Sequence, residues 1–175
     1  MDHDNPYLTA GTLIDGARMY AAAADAVNDK LPNALHVLSH LLGMSIELTL
    51  KAFLRHHGCT EQELIALGHN LGVTYDRAIE HGLIHTGSRH FRIRVLAANY
   101  KARIFAYPEV AEMVIITPRS LREIAHELIL DVFLEIKGQQ ALEELANQPG
   151  LKVQSHYPED VDASAWAMTG PRPTE

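Results

Sequence analysis

Apolar residues recur every three or four positions along most of the chain, which is the spacing of amphipathic helices. Residues 8–28 are rich in alanine and predict a first long helix, because alanine has the highest helix propensity. A denser apolar pattern follows and predicts a second long helix, with Pro32 in its first turn and Gly58 at its C-terminal end. The first third of the chain is therefore expected to form two long helices.

Shorter helices are expected in the middle of the chain. Thr60 and Glu63 have the spacing of a capping box, in which each side chain binds the backbone N–H of the other residue. This motif predicts a short helix over residues 61–67 that ends at Gly68. Two further helices are predicted over residues 70–81 and 87–106.

The last part of the chain begins with a change of pattern. Residues 110–117 contain several β-branched side chains and predict a short extended segment or an irregular connection. Thr117 and Pro118 then suit the cap and the first position of a helix that runs to Gly138. A final helical piece is predicted over residues 139–147.

Together these elements predict an all-α fold, an up-and-down bundle of four to five main helices with additional short ones. Residues 1–147 are expected to form a single domain, because a chain of 175 residues fits one core. Residues 148–175 are polar and contain four prolines, so they predict a partly ordered C-terminal tail.

Composition narrows the class of protein. Hydrophobic residues make up 47% of the chain and the net charge is -7, so the strongly basic character of many nucleic-acid-binding proteins is absent from the chain as a whole. Cys59 is the only cysteine, which excludes an intrachain disulfide and fits a reducing compartment. No signal peptide is recognisable in the first residues, and no apolar run approaches the roughly 18–20 residues of a membrane span. A cytoplasmic protein is expected, with no indication of DNA or a membrane as a partner.

A narrow polar stripe runs along the second long helix. His36, His40, Glu47 and Lys51 fall within about 60° of one another at the helical angle of about 100° per residue, while the opposite face is apolar. One interpretation is an exposed edge of an amphipathic helix, where a Glu–Lys pair four residues apart needs no function. The other is that the stripe faces a second helix or a shallow cleft, where a charge must be paired and hydrogen-bonded.

The two histidines of this stripe also allow a weaker interpretation. His36 and His40 have the spacing of four residues that metal sites on helices use, although the glutamate of a metalloprotease motif is missing between them. A carboxylate and histidine site in a bundle needs ligands from several facing helices. A metal-binding bundle therefore stays as an alternative, and the favoured expectation is that the protein carries no metal or cofactor.

Further candidate residues lie in the turn that contains His69 and on the helix over residues 87–106. His69 stands between two short helices, where it either has a role in the turn or belongs to a polar site. Tyr100, Arg103 and Tyr107 place one guanidinium between two phenols on one side of their helix. A buried Arg103 would need a carboxylate such as Glu47, whereas an exposed one would stack on the tyrosines.

Arg119 and His126 form a second candidate group. They lie about two turns apart on one face of the helix that Thr117 caps. An arginine beside a neutral histidine stabilises an anion and moves a proton, so the pair suits acid–base chemistry on a phosphate. The alternative is a charged first turn followed by a half-buried histidine. No phosphate-binding loop, dinucleotide fingerprint or nucleophile elbow occurs in the sequence.

Three segments of the chain resemble one family. The segment "LLGMSIELTLKAFLRHHG" resembles the second helix of HEPN domains (higher eukaryotes and prokaryotes nucleotide-binding), which carries an apolar pattern around a Glu-x-x-x-Lys pair. "GHNLGVTYDRAIEHGL" and "YKARIFAYPE" are similar to later elements of the family, in the same order and at similar spacing. The resemblance spans about residues 35–130.

This resemblance implies an up-and-down helical bundle that is often dimeric. Many members are metal-independent endoribonucleases in which an arginine and a histidine, with four to six residues between them, act on the RNA phosphodiester. Others are inactive partners that bind nucleotides, RNA or another protein. Glu47 and Lys51 match the polar pair that helps to organise the site. Arg119 and His126 match the catalytic spacing, but Ser120 follows the arginine where active members usually have Asn, Asp or His.

The sequence therefore leads to two functional hypotheses and one weaker alternative. The first is a non-catalytic HEPN-like domain that forms a homodimer or pairs with a partner protein and binds a nucleotide or RNA, with Glu47, Lys51, His69 and Arg103 holding a polar cleft together. The second is a HEPN-type endoribonuclease of toxin, defence or RNA-processing systems, in which Arg119 stabilises the phosphate and His126 is the general acid or base. The weaker alternative is the metal-binding bundle.

Overall fold

Six α-helices make up the part of the chain that the computed structural model describes, which is residues 8–101, without the side chains of the last two, and residues 116–138. They are α1 (Ala10–Lys30), α2 (Leu35–His56), α3 (Glu61–Leu67), α4 (Leu71–Glu80), α5 (Gly87–Lys101) and α6 (Pro118–Lys137). No strand occurs within these two ranges. The prediction of an all-α helical bundle is therefore confirmed.

Several predicted features lie wholly or mostly outside the described residues. They are most of the extended or irregular segment 110–117, the end of the helix predicted over 87–106, the helix predicted over 139–147 and the tail predicted over 148–175. These features stay predictions, and so does the domain boundary at residue 147. Every described residue belongs to one compact unit.

The turn between the first two helices differs from the prediction. Pro32 was expected in the first turn of α2, and this is wrong, because α2 begins at Leu35. α1 extends beyond its predicted end, and its final N–H···O bond runs from Leu31 N to Val27 O at 2.7 Å. The proline thus occupies the connecting turn. Proline has no N–H to donate and is as well suited to a turn as to a first helical turn, so the sequence allowed both positions.

The predicted helix caps are present. Thr60 Oγ1 accepts a hydrogen bond from Glu63 N, and the Glu63 carboxylate accepts one from Thr60 N at 2.8 Å, so the capping box is complete. Gly68 ends α3 at a φ of 54°, a left-handed conformation that glycine adopts without strain. Thr117 caps α6 by accepting a hydrogen bond from Ser120 N. Local sequence signals therefore determine where α3 and α6 begin.

α2 is the central helix, because it packs against each of the other five described helices. Twelve of its 22 residues are buried. α1 lies antiparallel to it, as shown by hydrogen bonds from Ser45 Oγ to Ala17 O at 2.9 Å and from Arg55 Nε to Leu8 O at 3.2 Å. α6 completes a three-helix core with α1 and α2. The largest fully buried side chains of this core are Ile14, Leu38, Leu42, Ile46, Leu50, Leu54, Leu121 and Ile124.

The central position of α2 also explains its composition. Leu35–His56 is long and apolar enough to cross a membrane by length and composition alone, contrary to the expectation that no such run exists. In the folded chain, 67% of the 18-residue apolar window within this helix is buried inside the protein. A core helix surrounded on most sides is apolar around most of its circumference, and this accounts for the pattern.

The second layer is built from α3, α4 and α5. α4 packs on α2 with one face and on α5 with another. The close approach of α4 to α5 occurs at Gly72, where an added Cβ would lie 3.5 Å from the Cβ of Ala97. α5 is also joined to α6 by ion pairs from Arg89 to Glu127 and Asp131. The turn that contains His69 belongs to this layer and lies against the side of α2 on which Glu47 is placed.

Candidate functional site

A charged cluster joins α2 to the turn between α3 and α4, and the carboxylate at its centre is buried. Glu47 lies in the middle of α2 and is only 1% exposed. Its Oε1 accepts a hydrogen bond from Lys51 Nζ at 2.8 Å, and its carboxylate also contacts His69 Nδ1, at 3.1 Å through Oε1 and 3.3 Å through Oε2. Lys51 Nζ donates a second hydrogen bond to the carbonyl oxygen of Gly68 at 2.7 Å. We call Glu47, Lys51, His69 and the Gly68 carbonyl the Glu47 cluster.

The local sequence explains how this cluster forms. Glu47 and Lys51 are four residues apart, so they lie on the same face of α2. Gly68 ends α3 in a left-handed conformation, and its carbonyl oxygen faces Lys51. Asn70 caps the next helix by accepting a hydrogen bond from Val73 N at 3.3 Å. A glycine that ends one helix and an asparagine that begins the next thus fix the position of His69 between them.

The hydrogen bonding of the cluster indicates a structural role. A carboxylate only accepts hydrogen bonds, so in the contact with the Glu47 carboxylate the donor is the Nδ1–H of His69. The His69 side chain is 77% exposed, while the carboxylate is covered. Both carboxylate oxygens have protein donors, and the ammonium of Lys51 has two acceptors. The cluster therefore fastens the α3–α4 turn to the central helix.

Glu47 contacts His69, one of the residues expected to hold the polar cleft together with it. The alternative of an exposed helix edge is wrong for Glu47 and Lys51, whose side chains are 1% and 14% exposed. The other expected partner, Arg103, lies outside the described residues, as does Tyr107. Tyr100 lies in α5, and its side chain is not described. A contact between Glu47 and Arg103 therefore stays a prediction.

The histidines of the weaker metal hypothesis lie at the beginning of α2. His36 is half-buried and His40 is exposed. Across residues 8–101 and 116–138, no group of three or more His, Cys, Asp or Glu side chains is arranged to hold a metal ion. The described residues thus give the metal-binding interpretation no support.

A second polar cluster joins α1 to α6 and contains one of the two candidate catalytic residues. His126 Nε2 lies 3.1 Å from Asp25 Oδ2, and Arg122 Nε donates a hydrogen bond to Asp25 Oδ1 at 2.7 Å. The three side chains are between 32% and 49% exposed. We call Asp25, Arg122 and His126 the Asp25 cluster. An aspartate that binds one ring nitrogen of a histidine orients the ring and leaves the other nitrogen for a further partner.

Asp25 was not predicted as a site residue. It is 101 positions from His126 in the sequence, and only the packing of α1 against α6 brings the two together. No local spacing signals such a contact. An acidic residue in an alanine-rich helix is ordinarily solvent-exposed, so nothing in the sequence distinguished Asp25 from its neighbours.

The environment of Asp25 changes its acidity. Burial acts to raise the pKa of this carboxyl, but hydrogen bonds and charges from His126 and Arg122 outweigh burial and hold the pKa below its ordinary value of 3.8. Asp25 therefore remains a carboxylate in all but strongly acidic solution. It is a permanent acceptor for both partners.

This lowered pKa predicts a contribution to stability that depends on pH. A carboxyl whose pKa is lower in the folded chain stabilises it above the ordinary value of 3.8, and the contribution is lost as the pH falls through the folded-state value. We expect Asp25→Asn to lose this dependence. Urea denaturation of both proteins between about pH 5 and pH 2 should show a steeper fall in the free energy of unfolding for the wild type. Parallel curves for the two proteins would contradict the assignment.

Arg119, the other candidate catalytic residue, stands apart from the Asp25 cluster. Its side chain is 77% exposed, and its Nε lies 3.3 Å from Glu123 Oε1, one turn along α6. Arg119 and His126 thus bind different carboxylates. No contact recorded among the described residues joins either of them to the Glu47 cluster. The structure therefore brings together Glu47, Lys51 and His69, but it does not bring Arg119 or His126 to them.

Comparison with known proteins adds no relative to this description. No family model, curated protein or solved structure matches the chain.

Proposed function

We propose that this chain is a HEPN-like helical domain that acts by binding in the cytoplasm and not by catalysis. It forms a homodimer or pairs with a partner protein, and it binds a nucleotide or RNA. The resemblance of three segments to HEPN domains supports the family, and two of these segments contact each other directly through Glu47, Lys51 and His69. Dimerisation and the class of ligand rest on the resemblance.

One observation carries the non-catalytic part of this proposal. Each charged or titratable side chain that the resemblance implies for the site, and that the structure describes, is already bound to another side chain within the chain. Glu47 is bound by Lys51 and His69, Arg119 by Glu123, and His126 by Asp25. An arginine that stabilises a transition state must face the reacting phosphate together with the acid or base. Here Arg119 and His126 are instead directed to separate carboxylates.

One feature favours the endoribonuclease as a second candidate. Asp25 holds one nitrogen of His126, which is the arrangement that orients a histidine for proton transfer. In this alternative His126 would take the proton from the 2′-hydroxyl or give one to the leaving oxygen. Arg119, which is largely exposed, would have to release Glu123 and turn toward the phosphate. No metal would be required.

A single assay of binding and cleavage separates the two candidates. The purified full-length protein is incubated in EDTA with fluorescently labelled single-stranded and structured RNAs, and with labelled ATP and GTP. We expect a rise in fluorescence polarisation for at least one probe, intact RNA on denaturing gels, and a dimer by light scattering. If neither RNA nor nucleotide changes the polarisation, the proposed binding function is wrong.

Cleavage in this assay would support the second candidate only if it depends on the Asp25 cluster. The test variant is His126→Ala, and the matched control is His56→Ala, an exposed histidine at the end of α2. Cleavage that His126→Ala abolishes and His56→Ala preserves would establish the endoribonuclease. Cleavage that survives in His126→Ala would indicate a contaminating nuclease.

A further inference from the structure

α5 carries a charge opposite to that of the chain as a whole. The chain has a net charge of -7, whereas α5 contains Arg89, Arg92, Arg94 and Lys101 and no aspartate or glutamate. Its arginines therefore have no acidic partner on their own helix. Arginine is the residue that suits phosphate recognition best, because its planar group binds a phosphate through several N–H donors. Among the described helices, α5 has the composition that best fits an anionic partner.

An exposed aromatic ring stands among these arginines. Phe91 is 65% exposed, whereas Phe53 and Phe133, the other phenylalanines of the described residues, are buried. A single exposed apolar side chain is common and needs no function by itself. Phe91, however, lies between Arg89 and Arg92 in the sequence. Aromatic side chains interleaved with cations are the combination that binds single-stranded nucleic acids, because bases stack on the rings and phosphates contact the cations.

Arg92 and Arg94 lie on either side of Phe91 around the helix. At about 100° per residue, Arg92 is displaced by about 100° from Phe91 in one direction and Arg94 by about 60° in the other. Their contacts agree with this placement, because Arg92 contacts Glu123 of α6 at 3.8 Å, whereas Arg94 forms an ion pair with Asp76 of α4. The outer face of α5 therefore presents one aromatic ring with a guanidinium on each side.

Both guanidinium groups retain donors for a further anion. Each of the two ion pairs is recorded through a single terminal nitrogen, and the side chains of Arg92 and Arg94 are 36% and 42% exposed. Glu123 is also shared with Arg119, so this carboxylate balances two positive charges. Arg89 differs, because it is 11% exposed and bound by two carboxylates of α6. It holds α5 in place and is not part of the exposed face.

We propose that the outer face of α5 binds single-stranded RNA, with a base stacked on Phe91 and phosphates in contact with Arg92 and Arg94. A duplex fits this face less well, because its bases already stack on one another and leave no free face for the ring. The inference rests on the proposed function, which names a nucleotide or RNA as the ligand. It adds the surface that binds and the form of RNA that is bound.

The stacking contact is tested by fluorescence polarisation of the full-length protein with a labelled strand of about 10 uridines and with an RNA duplex of the same length. We expect the strand to bind more tightly than the duplex. Phe91→Ala should weaken binding of the strand about 10-fold, the loss of one stacked base, and Phe91→Trp should preserve it. The matched control is Ile84→Ala, which removes another exposed apolar side chain and should leave the affinity unchanged.

The phosphate contacts are tested through the salt dependence of the same binding. Each arginine–phosphate contact releases counterions, so Arg92→Gln should weaken binding and reduce the slope of log K against log salt by about 0.7. Arg77→Gln, at an arginine of α4 that is 45% exposed, is the control for loss of a positive charge elsewhere. Thermal melting by circular dichroism verifies that each variant is folded, which is expected because Phe91 and Arg92 are accessible to solvent.

The outcomes separate this inference from the proposed function. The α5 face is supported if the strand binds more tightly than the duplex and if Phe91→Ala and Arg92→Gln weaken binding relative to their controls. It is overturned, while the proposed function stands, if the protein binds RNA or a nucleotide and either variant behaves like its control. A preference for the duplex, or binding of mononucleotides alone, also overturns it. If the wild type binds neither RNA nor nucleotide, both proposals are wrong.

Discussion

Replacing Glu47 by alanine is expected to lower the free energy of unfolding by at least about 2 kcal/mol, because it leaves the ammonium of Lys51 without its buried counter-charge. The substitution also removes the acceptor of His69 and so releases the α3–α4 turn from α2. Glu47→Gln should cost less than alanine, because an amide keeps the shape and one acceptor oxygen. Urea denaturation monitored by circular dichroism measures both changes.

The matched control for Glu47→Ala is Glu80→Ala. Glu80 also forms an ion pair, at 3.1 Å to Arg77, but its side chain is 63% exposed and that of Arg77 is 45% exposed. Exposed pairs of this kind contribute about 0–1 kcal/mol, because water competes for both charges. If Glu47→Ala cost less than about 0.5 kcal/mol, like an exposed pair, the interpretation of the Glu47 cluster as a buried cross-link would be wrong.

Arg89→Ala is expected to have the second largest effect and to lower the free energy of unfolding by about 2 kcal/mol. The guanidinium is 11% exposed and binds two carboxylates of α6, so its removal breaks two charged hydrogen bonds and leaves Glu127 and Asp131 close together without a cation. Part of this stabilisation is electrostatic. The difference between wild type and variant should therefore shrink as the salt concentration is raised from about 0.05 M to 1 M.

Arg77→Ala is the control for this second prediction. Arg77 also has two acidic neighbours, Glu80 at 3.1 Å and Glu63 at 3.9 Å, but its side chain is 45% exposed. We expect Arg77→Ala to lower the free energy of unfolding less than Arg89→Ala does, because water competes for both charges of an exposed pair. If the two arginine variants lowered the free energy of unfolding equally, the α5–α6 ion pairs would stabilise the fold no more than ordinary surface pairs do.

The features that could be predicted from the sequence are those set by neighbours along the chain. The capping box of Thr60 and Glu63 spans three residues, and the Glu47–Lys51 pair spans four, so both follow from helical geometry alone. The all-α class follows from the same periodicity. Pro32 shows the limit of this reasoning, because a proline fits a turn and a first helical turn equally well.

Contacts between distant parts of the chain could not be predicted in the same way. The approach of Asp25 to His126 depends on the rotation and offset of α1 against α6, which many side chains determine together. His69 is an intermediate case. Its position in a turn between two helices was apparent, whereas its bond to Glu47 depends on where α3 places that turn.

The packing of α1 against α6 has a consequence for the synthesis of the protein. Asp25 of α1 and Arg122 of α6 are 97 positions apart in the sequence. Most of the chain is therefore translated before α6, which packs on α1, emerges from the ribosome. Until α6 emerges, the apolar face that it will cover on α1 and α2 stays open to water. We therefore expect the chain to expose this face while it is being synthesised, and exposed apolar surface at that stage favours aggregation.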